Sequence, residues 1–285
     1  MSETALALDP YMDRIGLSGL AAPSLETLRT VIGAHAATIP YENIDVLLGK
    51  PPKLDLESLR AKMVRGKRGG YCFEQNLLLR AALHALGFST TGMIARVVLS
   101  SPADAPRAAA HMVVRVDLPE GPFLVDVGFG NLTPTAPVAM VPNIEQETPH
   151  GLVRLLPVGS ELVLQARLSD GWANLWRMCS HVPLDADHET ANWFTATYPN
   201  SLFVTNMIAA RPGAGGVRHT FLNGRLTLRR PDGTAERQEL DDEAGVADAL
   251  AGTFGLALPM EDIRAALATL ARLNRRRAAH PFFKW

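Results

Sequence analysis

The sequence predicts an α+β fold, because helical patterns come first along the chain, strand patterns follow, and a shorter mixed segment ends it. The chain has 285 residues, of which 47% are hydrophobic, so it can bury a sizeable core and is long enough for more than one domain. Its formal net charge of −1 does not indicate a nucleic-acid or anionic-membrane partner. Length and charge therefore limit the possible folds but do not indicate a function.

The first block, residues 1–87, is predicted to be helical. Ser24 and Asp55 each stand before an amphipathic run and are candidate N-caps, since a short polar side chain accepts a hydrogen bond from a free N–H of the first turn. A further helix over residues 76–86 has its apolar side chains on one face and ends at Gly87.

Short strands separated by turns fill the second block, residues 88–190, a pattern that predicts a barrel or a curled sheet. In the third block, residues 191–285, two strands precede two closing helices. These elements are predicted near residues 203–209, 225–230, 241–252 and 260–273.

Cys72 stands in the most informative stretch of the chain, between two glycines and a helix. Gly69 and Gly70 precede it and the apolar stripe of residues 76–86 follows, so the cysteine is predicted to lie at a helix N-terminus. Free N–H groups and the helix dipole favour a negative charge there, which helps a thiolate to form. Cys72 is therefore a candidate nucleophile.

A histidine and an aspartate lie in two neighbouring predicted strands, on either side of a turn at residues 119–122. His111 and Val113 are predicted to share one face of their strand. An antiparallel hairpin then brings Asp126 near His111. Taken singly, such residues more often serve packing or turns, but with Cys72 they fit the nucleophile, base and orienting carboxylate of a catalytic triad.

Several classes of protein are disfavoured by the remaining signals. The two cysteines, Cys72 and Cys179, cannot form a disulfide framework, and they fit a reducing cytoplasm. Cys179 is predicted to pack in a strand. We also expect no bound metal, no secretory signal and no membrane-spanning segment, since none of the corresponding spacings or apolar runs is present.

With these residues in place, the sequence resembles the arylamine N-acetyltransferases. The resemblance rests on RGGYCFEQN around Cys72, on the histidine that opens a strand at His111, and on DVGFG at residues 126–130. Weaker matches extend it over nearly the whole chain. They lie at Tyr11–Gly16, Ile39–Ile44, Asn192–Thr195, Pro199–Phe203 and Leu222–Thr227.

The resemblance implies an architecture of three parts: a helical bundle over residues 1–87, a β-barrel over 88–190 and an α/β lid over 191–285. It also implies a core arranged like that of the cysteine proteases. The bundle would supply the nucleophile and the barrel the base and carboxylate. We therefore expect the active site at the junction of the first two parts.

The resemblance also implies a ping-pong reaction. Cys72 takes the acetyl group of acetyl-coenzyme A, and an arylamine, arylhydrazine or arylhydroxylamine nitrogen then receives it. His111 acts as the base and Asp126 orients it, while the backbone N–H of Cys72 is a candidate oxyanion donor. The implied partners are coenzyme A and a small amine, with no metal. Homo-oligomerisation is left open.

Apolar walls should surround a flat, weakly nucleophilic arylamine. The resemblance suggests five residues for them, each of which could equally be a core residue: Tyr41, Tyr71, Val97, Phe129 and Phe203.

The sequence has no phosphate-cradling glycine-rich motif, so the coenzyme contacts are assigned from the resemblance alone. They lie in the loop before His111, at Arg107 and Ala108, and at Gly128. A glycine-rich stretch at residues 213–216 is a second candidate, for which a plain turn is the simpler explanation.

Three alternatives use the same residues. A cysteine hydrolase or transglutaminase also has Cys, His and Asp in this chain order. A related branch of the same fold forms amide bonds within polyketide-derived molecules. A binding protein that has kept only the scaffold is disfavoured, because all three triad positions are filled.

Overall fold

Helices form the first part of the chain, as predicted. The computed structural model describes residues 6–19 and 22–279. Ser24 and Asp55 are confirmed as N-caps, because their side-chain oxygens accept hydrogen bonds from the backbone N–H groups of Thr27 at 3.1 Å and Ser58 at 2.9 Å. The elements are α1 (Leu8–Ile15), α2 (Leu25–Thr38), a short strand β1 (Tyr41–Glu42), α3 (Ile44–Leu47), α4 (Leu56–Leu59) with a π-helical continuation (Arg60–Arg65), and α5 (Cys72–Ala85).

Eight antiparallel strands form the second part. They are β2 (Ser89–Val97), β3 (Ala109–Leu118), β4 (Gly121–Val125), β5 (Val138–Ala139), β6 (Gln146–Thr148), β7 (Gly151–Val158), β8 (Glu161–Leu168) and β9 (Gly171–Met178). Their order in the sheet is β5-β4-β3-β2-β9-β8-β7-β6.

A single side chain bridges the two edges of this sheet. The Gln146 amide donates to the carbonyl oxygen of Ala139 at 2.9 Å and accepts from its N–H at 2.8 Å. It thus replaces the pair of backbone bonds that a neighbouring strand would make. The sheet is a nearly closed barrel, which confirms the predicted fold class.

The third part begins differently from the prediction. Strand structure was expected up to residue 190, but a helix, α6 (Asp185–Thr197), begins earlier. Its buried face includes the polar side chains of His188, Asn192 and Thr195, so the sequence lacks the apolar stripe that indicates a helix.

The predicted strand at residues 203–209 is wrong over its first half. A short helix, α7 (Leu202–Thr205), occupies it, and its start is capped by Ser201, whose hydroxyl accepts from the Phe203 N–H at 3.3 Å. The later elements are β10 (Ile208–Pro212), β11 (Arg218–Leu222), β12 (Arg225–Arg229), β13 (Ala235–Glu239), α8 (Glu243–Phe254) and α9 (Met260–Ala279). β12, α8 and the start of α9 agree with the prediction, and β10 overlaps the end of the predicted strand at residues 203–209. β11 and β13 were not predicted.

A second, five-stranded antiparallel sheet has the order β1-β10-β11-β12-β13, so a strand from the helical part joins the third part. Helices α8 and α9 cover it with a separate apolar cluster that includes Phe221 and Phe254. Among the described residues, no helix combines the length and the apolar character that crossing a membrane requires.

The two faces of β3 separate the other two apolar clusters. Met112 and Val114 pack against the helices, in the same cluster as Cys72. Val113 packs inside the barrel with Trp176, and the His111 ring also faces Trp176, with ring centroids 6.3 Å apart. The shared face predicted for His111 and Val113 is confirmed, and it places the histidine on the barrel side of the boundary.

Candidate active site

Cys72 is the first residue of α5, at the helix start that the sequence predicts. Glu74 in the first turn accepts a hydrogen bond from the Tyr71 N–H at 3.1 Å, which fixes how the chain enters the helix. Gly69 is required just before it, because a Cβ there would lie 2.0 Å from the carbonyl oxygen of Pro40. The residues around Cys72 therefore set its position through the backbone.

A buried network of charges lies behind this helix start. The Glu42 carboxylate is fully buried and accepts hydrogen bonds from Arg68 at 2.8 and 3.0 Å. The Lys62 ammonium lies 2.8 Å from oxygens of both Glu74 and Asp45. Burial alone would lower the pKa of Lys62, but the charges of Glu74, Glu42 and Asp45 outweigh it and the pKa is raised. The network ties the segment before Cys72 to α3 and to the π-helical turn.

His111 and Asp126 form the pair that the hairpin predicts. Val114 of β3 lies opposite Val125 of β4, and Asp126 follows directly, with its Oδ2 2.7 Å from His111 Nε2. The Cys72 Sγ lies 4.0 Å from the carbonyl oxygen of Ala110, the residue before His111. The structure thus brings the three predicted residues together at the junction of helices and barrel.

The electrostatics of this junction favour a charged imidazole. Burial lowers the pKa of His111, but the charge of Asp126 and its hydrogen bond, and then the hydrogen bond and charge of Cys72, raise the pKa to about 10. Because Nε2 bonds the carboxylate, Nδ1 is the ring atom left for the thiol. The arrangement suits an imidazolium beside a thiolate.

Four donors surround the buried Asp126 carboxylate. Oδ1 accepts from Asn76 Nδ2 at 2.9 Å and from the Gly128 N–H at 2.8 Å. Oδ2 accepts from Trp176 Nε1 at 3.0 Å as well as from His111. A carboxylate that is 1% exposed is stable only when it is bonded in this way.

Asn76 and Trp176 were not predicted from the sequence. A signal for Asn76 existed, since it is a polar residue within RGGYCFEQN at the start of an otherwise apolar helix. Asn76 also donates to the Met112 carbonyl oxygen at 2.7 Å and accepts from the Val127 N–H at 3.1 Å, so it ties α5 to both strands. Trp176 had no such signal, because it is one apolar residue among many in β9.

The three predicted coenzyme contacts do not lie on one surface. Gly128 is buried, and a Cβ there would lie 2.6 Å from the Cα of Cys72, so glycine is needed for this close approach. Arg107 and Ala108 are exposed in the loop between β2 and β3. Arg107 donates to Ser101 Oγ at 2.8 Å. Their contact with a coenzyme stays a prediction.

Four of the five predicted wall residues are aromatic and lie around Cys72 and His111. Phe203 contacts both tyrosines, with ring centroids 5.6 Å from Tyr71 and 6.4 Å from Tyr41. Phe129 packs edge-on against the His111 ring at 5.2 Å. The fifth, Val97, is 39% exposed at the end of β2. Their role as substrate walls stays a prediction.

The fold and the site together define a class of protein: a mixed helix-and-sheet protein with a cysteine-protease-like core, in which a helix-start cysteine meets a histidine and an aspartate from a barrel. A family model described as N-acetyltransferase matches residues 24–263. The chain belongs to the arylamine N-acetyltransferase family, and the resemblance noted in the sequence is confirmed.

Similar proteins cover nearly the whole chain. The arylamine N-acetyltransferase of Escherichia coli strain K12 is 37% identical over 249 residues, which are 87% of this chain and 88% of the relative. The one from Mycolicibacterium smegmatis is 38% identical over 258 residues, 89% of this chain and 93% of the relative. The structure of Mycobacterium marinum arylamine N-acetyltransferase has a TM-score of 0.87 at 37% identity and covers 93% of this chain and 99% of its own. That enzyme has also been solved in complex with CoA, again with a TM-score of 0.87 and 37% identity, covering 92% of this chain and 99% of its own.

Proposed function

We propose that this protein transfers an acetyl group from acetyl-coenzyme A to the nitrogen of arylamines, arylhydrazines or arylhydroxylamines, by a ping-pong mechanism through acetyl-Cys72. The observation that carries the proposal is how the helix start meets the barrel. The Sγ of Cys72 lies 4.0 Å from the carbonyl oxygen of Ala110, the residue before His111, and His111 Nε2 lies 2.7 Å from Asp126 Oδ2. Membership of the family supports the reaction, and the CoA complex of the similar structure supports the acyl donor.

In the first half-reaction, the Cys72 thiolate attacks the thioester carbonyl carbon and forms a carbon–sulfur bond. The carbonyl electron pair moves onto oxygen and returns when the bond to the coenzyme sulfur breaks. His111, which enters the step as an imidazolium, gives its proton to the departing sulfur. The products are acetyl-Cys72, free coenzyme A and a neutral imidazole.

In the second half-reaction, the amine nitrogen attacks the acetyl carbon and His111 accepts the proton that this nitrogen loses. The Cys72 sulfur leaves as a thiolate, so the ion pair is restored. Asp126 keeps its charge throughout, fixing the ring and stabilising its cationic form. The four donors around Asp126 satisfy both carboxylate oxygens in this role.

The binding residues follow from the same proposal. Tyr41, Tyr71, Phe129 and Phe203 would line the acceptor site, with Val97 at its rim. Arg107 and Ala108 would meet the coenzyme, and Gly128 would admit it close to Cys72. The chemistry needs Cys72 as a free thiol, in agreement with the predicted reducing, cytoplasmic location.

Mass spectrometry of the protein mixed with acetyl-coenzyme A alone tests this function. We expect one acetyl group on Cys72 and an equal amount of free coenzyme A. Cys72→Ala should give neither, whereas Cys179→Ala, which removes the other buried cysteine, should behave like the wild type. Adding an arylamine should remove the adduct and yield the acetylated amine. An adduct on Cys179, or hydrolysis without transfer to the amine, would contradict the proposal.

A further inference from the structure

The Tyr41 side chain is fixed from both ends beside the nucleophile. Its backbone lies in β1, opposite Ala210 of β10, and bridges on the other side to Gly70, two residues before Cys72. Side chains alternate along a strand, so Tyr41 faces away from the charge network that holds Glu42. Tyr41 instead belongs to the apolar cluster of Cys72.

Residues 128–130 run between Cys72 and the Tyr41 side chain. At one end, a Cβ on Gly128 would lie 2.6 Å from the Cα of Cys72. At the other end, a Cβ on Gly130 would lie 3.5 to 3.6 Å from the Tyr41 ring. Two residues of chain span at most about 7 Å. Cys72 and the Tyr41 ring thus lie at the two ends of one three-residue segment, and both belong to the same apolar cluster.

The Tyr41 hydroxyl differs from two other buried tyrosine hydroxyls. Tyr71 donates its hydroxyl to the Asn192 side chain, and the Tyr11 hydroxyl lies 2.8 Å from His35 Nδ1. Tyr41 is only 8% exposed. Its hydroxyl makes no hydrogen bond within residues 6–19 and 22–279, and the oxygen is not among the fully buried unpaired atoms of these residues, so it keeps some contact with solvent. The hydroxyl can therefore donate a hydrogen bond to a ligand oxygen at this place.

The hydroxyl keeps its proton in this environment. Burial raises the pKa of Tyr41 well above its ordinary value, and the charges of Cys72, Asp126 and Glu74 raise it further, in that order. At neutral pH the group is therefore a hydrogen-bond donor, on a ring that lies beside Gly130 and Phe203.

We propose that the Tyr41 hydroxyl is a catalytic donor that stabilises the acyl oxygen as negative charge develops on it during attack at the thioester carbon. This inference rests on the proposed function. Tyr41 keeps its own proton: the carbonyl electron pair shifts to oxygen, Tyr41 donates a hydrogen bond to that oxygen, and the pair returns when the sulfur leaves. The Cys72 N–H, at the start of α5, is the second donor.

An oxyanion donor acts in both half-reactions, because both pass through a tetrahedral centre on the same acetyl carbon. A donor that only binds the acceptor acts in the second half-reaction alone. A packing residue acts in neither. The three roles are therefore separable by measuring acetylation and deacetylation of Cys72 independently.

The test compares Tyr41→Phe with the wild type, using rapid mixing with acetyl-coenzyme A and then with either an unsubstituted arylamine or an arylhydrazine. Phenylalanine keeps the ring contacts to Phe203 and Gly130, so the thermal midpoint should stay unchanged. Both half-reactions should slow by the same factor, about 10²-fold, with little change in KM for either substrate.

Tyr11→Phe is the matched control, since the Tyr11 hydroxyl is already bonded to His35 and Tyr11 is not one of the predicted wall residues. It should lower the thermal midpoint more than Tyr41→Phe and slow the two half-reactions less. If Tyr41→Phe is acetylated at the normal rate but deacetylated slowly, the inference is overturned and Tyr41 only binds the acceptor. If both half-reactions run at the normal rate, the inference is also overturned and Tyr41 is only a packing residue. Absence of acetylation in the wild type would instead refute the proposed function itself.

Discussion

The two sides of the site are held in place by different forces. On the helix side, Cys72 is positioned by backbone approach at Gly69 and by a buried charge network that does not touch the sulfur. On the barrel side, His111 is positioned by one carboxylate, Asp126, which itself carries three further hydrogen bonds. Damage to the barrel side should therefore appear first in chemistry, and damage to the helix side first in stability.

The largest effect is expected from Asp126→Asn, which removes the charge that stabilises the His111 cation. Turnover should fall by about 10⁴-fold, while binding of both substrates changes little. Steady-state kinetics with an arylamine would measure this, with the unfolding midpoint followed in parallel because Trp176 and Asn76 lose their charged partner. A folded variant with near-normal turnover would remove Asp126 from the mechanism.

Breaking the charge network tests the other side. Arg68→Met leaves the fully buried Glu42 carboxylate without its main partner, so the free energy of unfolding should fall by about 3–5 kcal/mol. Arg225→Met breaks an ion pair with Glu239 on the surface and should cost about 0–1 kcal/mol. Denaturant unfolding gives both values. Equal losses in the two variants would mean that the buried network is no more important than a surface pair.

Trp176→Phe tests a single hydrogen bond on the barrel side, because it removes one donor to Asp126 and keeps an aromatic ring beside His111. Turnover should fall about tenfold, the effect of losing one hydrogen bond to a charged group. The loss should lie in turnover, with KM unchanged, and the unfolding midpoint should drop only slightly. A lower unfolding midpoint with unchanged turnover would show that Trp176 serves packing and that its indole N–H does not position the carboxylate.

Arg107→Ala should have the smallest effect. Its side chain is exposed and lies away from the buried residues, so we expect only a few-fold rise in KM for acetyl-coenzyme A with unchanged turnover. Arg264→Ala, an exposed arginine of α9 paired with Glu243, serves as the control. Identical KM values in the two variants would exclude Arg107 as a coenzyme contact.

The sequence was informative where the determining interactions are local. The helix start at Cys72 depends on the residues next to it, and the pairing of His111 with Asp126 depends on a hairpin whose two strands are joined by a short turn. Trp176 reaches Asp126 across 50 positions of sequence, through the packing of the barrel, and no local pattern reports such a contact.

The same reasoning explains the errors in the third part of the chain. Helix α6 buries polar residues, of which Asn192 bonds Tyr71 across 121 positions. Asn43 donates to the carbonyl oxygens of Phe203 and Asn206, both at 2.7 Å, and so holds the end of α7 from a distant part of the chain. Tertiary contacts overrode the strand pattern at both places.

The central claim is that Cys72 and His111 form an ion pair before substrate arrives. The pKa of His111 is raised to about 10, so the imidazolium persists through neutral pH and loses its proton only as the pH rises towards that value. A neighbouring imidazolium favours the thiolate form of a cysteine, which is the form that reacts with alkylating agents.

The most direct test is the pH dependence of Cys72 alkylation by iodoacetamide, measured in Cys179→Ala with and without His111→Gln. Alkylation should stay fast into mildly acidic solution when His111 is present, because the imidazolium favours the thiolate form of a neighbouring cysteine. In His111→Gln the profile should move to alkaline pH, leaving only the smaller contribution of the helix start. Two superimposable profiles would contradict the account, because His111 would then not be the partner of Cys72.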